Sequence, residues 1–208
     1  MSRELPILFN TEMVRAILDG RKDATRRIVK DFIPDDAVWG YTAFTHKGYI
    51  SCRGTFADGD GEKFFKLPCE PGDILYARET WKEAPKGYYY YEDWQKDDIA
   101  DVTKWKPSIH MPKEAARIWL KVTNVMVERL QEITDEQAKR EGIQYDECPT
   151  GFTWKQETDM HNCYTTPIGA MQALWNSTIK KSDIDRYGWD ANPYVWVISF
   201  ERCEKPGK

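Results

Sequence analysis

The stretch "DGRKDATRR" at residues 19–27 sets Lys22 three positions before Thr25 and surrounds the pair with Arg21, Arg26 and Arg27. A threonine hydroxyl is a weak nucleophile until a base removes its proton, and a lysine is that base only when neutral. Free lysine ionises at about 10.4, so its pKa has to fall before it can act near neutral pH. Burial and neighbouring cations both disfavour the ammonium, and the three arginines supply the cations. A carboxylate in the same pocket would shuttle protons or hold a substrate amine. The same nine residues also read as a solvated basic turn behind a helix, where cations favour the helix dipole. Spacing alone leaves both readings open.

The elements that must position these side chains follow from periodicity and punctuation. "PILFN" reads as a short strand. Asn10 or Thr11 then caps a helix with Met13, Val14, Ile17 and Leu18 at helical spacing, and Gly20 ends it. The basic stretch is thereby placed in the loop after that helix. "GDILYARETW" (72–81) is a strand entered through a Gly-Asp turn, and "ARIWLKVTNVMVERL" (116–130) is a long apolar strand. "TDEQAKREG" (134–142) is a capped helix, with Thr134 at the N-cap, Gln137 three positions on and Gly142 at the end. A further helix runs from about Pro167 to Ile179 with proline in its first turn, and "PYVWVISFER" closes the chain as a central strand.

The chain has 208 residues, enough for one domain (1–208) with a substantial core. Stretches at about 31–68, 82–115 and 144–165 read as long insertions in that domain. The formal charge of −4 argues against broad binding to a nucleic-acid backbone, while a small anionic or nucleoside ligand at one basic spot stays compatible. The start "MSRELPILFN" is too short and interrupted for a signal peptide, and no run of about 20 apolar residues could span a membrane. Five irregularly spaced cysteines then imply reduced thiols and a cytoplasmic location.

"GRKDATRR" resembles the signature of the ASCH domain, a PUA-like β-barrel family with the pattern Gly-x-Lys-x-x-Glu-x-Arg. Gly20, Lys22 and Arg27 match, and Thr25 stands where the family most often has Glu. Small bacterial ASCH proteins that act as N4-acetylcytidine amidohydrolases also carry Thr there. Their distant Glu ends a helix whose pattern appears here as "LQEITDEQAKRE", with Leu130, Ile133, Thr134, Ala138 and Glu141 in place. The resemblance covers residues 5–30, the strand near 72–78, residues 116–143 and the last strand, less than half of the chain. The segments "RETW", "PSIHMP" and "GWDANP" are similar to those of phage and prophage ASCH proteins, which implies a bacterial host cytoplasm.

What the resemblance implies is an α+β fold: a small mixed PUA-like β-barrel with flanking helices and long loop insertions. It implies an amidohydrolase that removes an acyl group from a modified pyrimidine nucleoside or related small amide, with Lys22 as base, Thr25 as nucleophile and Glu141 as acid/base partner. No cofactor or metal is expected. The alternatives are a non-catalytic module binding single-stranded RNA or modified nucleic acid, and a ribonuclease.

Other residues are candidates for binding substrate. Arg21, Arg26 and Arg27 flank the proposed nucleophile. Arg78 could pair with a phosphate or carboxylate and Trp81 could stack on a base; Arg78 and Glu79 could equally form a structural pair. "KPSIHMP" presents Ser108 and His110 between prolines. Trp189, Asp190 and Asn192 could read a pyrimidine, or simply form the turn before the final strand. Cys148, Asp159, His161 and Cys163 match no zinc spacing.

Overall fold

The computed structural model describes residues 2–41, 48–94, 104–147, 150–155 and 161–207. It is an α+β fold centred on a mixed five-stranded sheet. Its strands are β1 (Glu4–Leu8), β2 (Ala24–Ile28), β6 (Ile74–Arg78), β9 (Trp119–Arg129) and β12 (Tyr194–Cys203), in the order β1-β6-β9-β12-β2. β1 runs parallel to β6, and the other pairings are antiparallel. The last strand is interior, as its β-branched and aromatic alternation predicts.

The expected barrel does not close. β1 and β2 form the two edges of the sheet and do not pair with each other. Instead α1 (Thr11–Leu18) connects them in sequence, and the Arg27 Nη2 donates to Leu8 O at 2.8 Å across the gap. Helix α1 starts where Asn10 Oδ1 accepts the Met13 amide, and it buries Val14 and Ile17 against the sheet. These two pack with Ile7, Phe9, Leu120, Trp196, Ile198 and Phe200. On the opposite face lie α3 (Asp135–Arg140) and α4 (Pro167–Thr178), whose Ala138, Ala170, Met171 and Leu174 pack with Val195 and Val197.

A correction concerns the basic stretch, expected wholly within a loop. Ala24–Ile28 is strand β2, hydrogen-bonded along β12 with Thr25 opposite Ile198 and Arg26 opposite Val197. Arginines there read as loop because strand propensity is a statement about surroundings: their charges are accepted only where buried carboxylates meet them. The three inserted stretches also contain ordered structure. Strands β3 (Val38–Tyr41), β4 (Tyr49–Phe56) and β5 (Gly59–Lys66) form a separate sheet that buries Ile50, Cys52 and Phe65 in the main core. Two hairpins follow, β7 (Trp81–Ala84) with β8 (Gly87–Tyr90), and β10 (Gln144–Glu147) with β11 (Thr150–Thr153). Short helices α2 (Tyr91–Trp94) and α5 (Ile184–Tyr187) also occur among the described residues. Among the described residues no helix is long and apolar enough to cross a membrane.

Two local features aim the chain at the functional region. The β9–β12 register slips between Ser199, which faces Asn124, and Phe200, which faces Val122. This bulge lies where β2 begins, and there the Phe200 amide donates to Asp23 O at 2.8 Å. Gly142 ends α3 at φ +103°, and an added Cβ would stand 2.9 Å from the Ala16 Cβ. Only glycine lets α3 end against α1 here. Gly142→Ala is therefore expected to destabilise the fold by about 1–3 kcal/mol in urea unfolding, through backbone strain plus the clash. An unchanged midpoint would show that α3 and α1 are not in fixed contact.

Candidate active site

After α1, the amides of Arg21 and Lys22 both donate to Ala16 O, at 2.8 and 3.0 Å, which folds the chain back beneath the helix. The Asp23 amide then donates to Arg140 O at 3.0 Å, and Lys22 and Glu141 form an isolated antiparallel bridge. Thus the backbone following α1 is stitched to the end of α3, 119 residues away. Helix α3 begins with the predicted capping box, in which Thr134 Oγ1 accepts the Gln137 amide and Gln137 Oε1 accepts the Thr134 amide. At the other end Gly142, with its positive φ, stops the helix and leaves Glu141 as its C-cap.

The Lys22 ammonium donates to Glu141 Oε2 at 2.7 Å, to Glu141 O at 2.9 Å and to Ala24 O at 2.7 Å. All three N–H donors are thereby used. Arg26 Nη1 donates to the other carboxylate oxygen, Glu141 Oε1, at 3.1 Å, while its Nε donates to Glu128 Oε1 at 3.1 Å. Lys22, Arg26 and Glu141 are each only 3% exposed. Ions so deeply buried persist only with partners, and these four side chains supply them to one another.

Alternation along β2 decides the rest. Arg26 points to the face of Glu128 and α3. Thr25 and Arg27 share the other face, opposite Ile198 and Trp196. There the Phe9 ring lies between two cations, 5.8 Å from Lys22 Nζ and 5.4 Å from Arg27 Cζ. Thr25 is buried, and among the described residues its hydroxyl makes no hydrogen bond. Arg27 donates to the carbonyls of Leu8 and Arg26 rather than to a carboxylate. Three cations (Lys22, Arg26, Arg27) against two carboxylates (Glu128, Glu141) leave one positive charge at the Thr25 face.

Burial pushes the Lys22 pKa down. The Glu141 carboxylate opposes this through its charge and hydrogen bond, Arg27 and Arg26 add to it, and the net direction is down. Burial likewise lowers Arg27, again against Glu141. The arrangement holds a lysine whose pKa burial lowers, hydrogen-bonded directly to a carboxylate in the same buried site. Those are the parts of an acid–base relay.

The remaining candidates scatter. Arg21 bridges Asp19 and Gly142 O, half-buried at the rim. Arg78 comes to the same end of the sheet, since it pairs in register with Leu8, whose carbonyl binds Arg27. Its Nε donates to Met111 O at 2.7 Å and thereby ties down the turn bearing Ser108 and His110, of which His110 is exposed. Glu79 does not pair with Arg78. It is buried and held by Arg117 through two 2.9 Å bonds, with burial pushing its pKa up. Trp81 is core, packed with Met111 and Trp119. Trp189 is also core, and Asn192 is a left-handed turn residue whose Oδ1 accepts the Gln131 amide. Asp190 is exposed in the same turn. From Asn192 to Ile198 is six residues along or before β12, about 20 Å, so that turn and Thr25 serve different places. Cys148 and Asp159 lie outside the described residues. Among the described residues no group of three His, Cys, Asp or Glu side chains is placed to hold a metal ion.

Sequence reading missed Phe9, Glu128 and Arg117. No local signal distinguished them: Phe9 ends an apolar run, and Glu128 and Arg117 are two of many charges. No family model, no curated protein and no solved structure matches this chain.

Two consequences can be measured. Glu141→Gln leaves Lys22 buried without its counter-ion, and is expected to cost about 3–5 kcal/mol in urea unfolding. A loss below 1 kcal/mol would mean that the pair is solvated. The second concerns pH. Lys22 sheds its proton at lower pH in the folded protein than at the 10.5 of the unfolded chain, so between those values the unfolded chain binds more protons. Stability from this group therefore rises with pH across that window. Thiols pull the other way, with Cys69 pushed up to about 12 by burial. Subtracting the Lys22→Met stability curve from the wild-type curve removes those contributions, and the difference should climb toward pH 10.5. A flat difference would refute the depressed Lys22 pKa.

Proposed function

We propose that this chain is an ASCH-like, PUA-related amidohydrolase that removes an acyl group from a modified pyrimidine nucleoside of the N4-acetylcytidine kind. The observation that supports it most is the contact of Glu141 with Lys22 at 2.7 Å in a buried site, three residues from Thr25. These are the residues that the resemblance assigned as acid/base partner, base and nucleophile.

In this reading Lys22 passes a proton to Glu141 Oε2 along their hydrogen bond and becomes a neutral amine. That amine takes the Thr25 hydroxyl proton as Oγ1 attacks the substrate carbonyl carbon. Charge develops on the carbonyl oxygen, and Arg27, on the same strand face and with no carboxylate hydrogen-bonded to it among the described residues, holds that oxyanion. Collapse breaks the C–N bond, and the carboxylic acid of Glu141 returns its proton to the leaving amine. Water then hydrolyses the Thr25 ester, releasing the carboxylic acid and free enzyme. Thr25 is 1% exposed, so substrate entry requires the side chains over it to move.

A second reading is favoured by one observation: all three Lys22 donors are already bonded. The cluster would then be a structural cross-link in a nucleic-acid-binding module, and Arg27 would contact phosphate.

The assay is cytidine release from N4-acetylcytidine. Thr25→Ala is expected to lose at least about 10³-fold in rate, as removal of a nucleophile does, with Thr25→Ser retaining measurable activity. Wild type turning over no faster than Thr25→Ala would leave the binding module as the better account.

A further inference from the structure

The chain leaving β2 and the turn before β12 enclose a cavity of about 180 Å³ whose residues the hydrolase reading does not use. Lys30, Phe32, Arg129, Arg186, Tyr187 and Tyr194 line it, together with the acidic Asp31. Tyr194 lies four residues from Ile198, the partner of Thr25, about 13 Å along β12. The cavity is thus separate from the Lys22 cluster, and a ligand bound in it is independent of amide hydrolysis.

Its charge is set by Lys30, Arg129 and Arg186 against Asp31 and Asp35, the last bonded to Arg129 at 2.7 Å. Asp35 is fully exposed, so solvent weakens its hold on the guanidinium. Arg129 is preorganised regardless. Its Nη1 donates to Asn192 O at 3.1 Å and its Cζ sits 4.0 Å over the Tyr194 ring. Asn192 adopts φ 45°, unusual for a residue with a side chain, and this places that carbonyl. Arg186 similarly lies 4.9 Å over Tyr187. Phe32 is 67% exposed at the cavity, an aromatic ring left facing water.

In a protein of net charge −4, a small site with excess arginine and an open aromatic face suits one compact anion bearing a flat ring. We infer that this cavity binds a nucleotide, its phosphate held by Arg129 and Arg186 and its base stacked on Phe32. At 180 Å³ the site encloses less than a typical small-molecule pocket, so the phosphate is inside and the base rests at the mouth. A free mononucleotide and the 5′-terminal nucleotide of a strand share this chemistry.

Titration calorimetry at low salt separates the outcomes, with cytidine 5′-monophosphate, cytidine, inorganic phosphate and a 5′-phosphorylated RNA pentamer as probes. The monophosphate should bind at least about tenfold more tightly than cytidine or phosphate alone, since both contacts contribute. Arg186→Gln and Phe32→Ser, both exposed, should each weaken it by roughly tenfold with the circular dichroism spectrum unchanged. Thr25→Ala should bind as wild type does. A pentamer binding more tightly than the monophosphate assigns the site to a strand end; the reverse assigns it to the free nucleotide. Absence of saturable monophosphate binding, equal binding of cytidine, indifference to both surface variants, or loss of binding in Thr25→Ala would each overturn the inference.

Discussion

The salt bridge between Lys22 and Glu141 organises the region where the two ends of the open sheet come together. Neither ion could remain in that interior alone, because transferring an isolated charge from water costs several kcal/mol even after relaxation. The backbone bridge between the same two residues, and the Asp23 amide on Arg140 O, hold the pair in register. One buried contact therefore couples the turn after α1 to the end of α3.

Arg26 extends that coupling across the sheet. By bonding Glu141 on one side and Glu128 of β9 on the other, it ties α3, β2 and β9 into one charged layer. The cost is specificity of position: a one-residue slip of β2 on β12 would turn Arg26 toward the apolar core and expose Thr25 to α3. The bulge at Ser199–Phe200 and the Asp23 O–Phe200 N bond oppose such a slip. A buried polar network of this kind adds little net stability compared with apolar packing, yet it admits very few arrangements.

A second charged layer stands at the α1–α2 end. Glu79 is clasped by Arg117, which also binds Asp93, while Arg15 of α1 pairs with Glu92. Arg78, next in sequence to Glu79, instead holds Met111 O. The hairpin β7–β8 and the turn at 108–110 are thus anchored to the sheet through side chains. That is how stretches rich in polar and aromatic residues hold ordered structure.

Local chemistry was readable from the residues themselves. The caps at Asn10 and Thr134, the end of α3 near Glu141 and the interior character of the last strand all depend on neighbours within a few positions. Pleating likewise follows from order alone, once a segment is known to be a strand. What order could not provide was the identity of β2 as a strand, because Arg26 at its centre is buried only when Glu128 and Glu141 arrive from more than 100 residues away to neutralise it. Nor could it show that the sheet stays open, that Phe9 stands between Lys22 and Arg27, or that the "GWDANP" turn clamps Arg129 instead of facing Thr25. Each of these is a long-range electrostatic or packing choice, settled by which charges and rings the completed fold brings within a few ångströms.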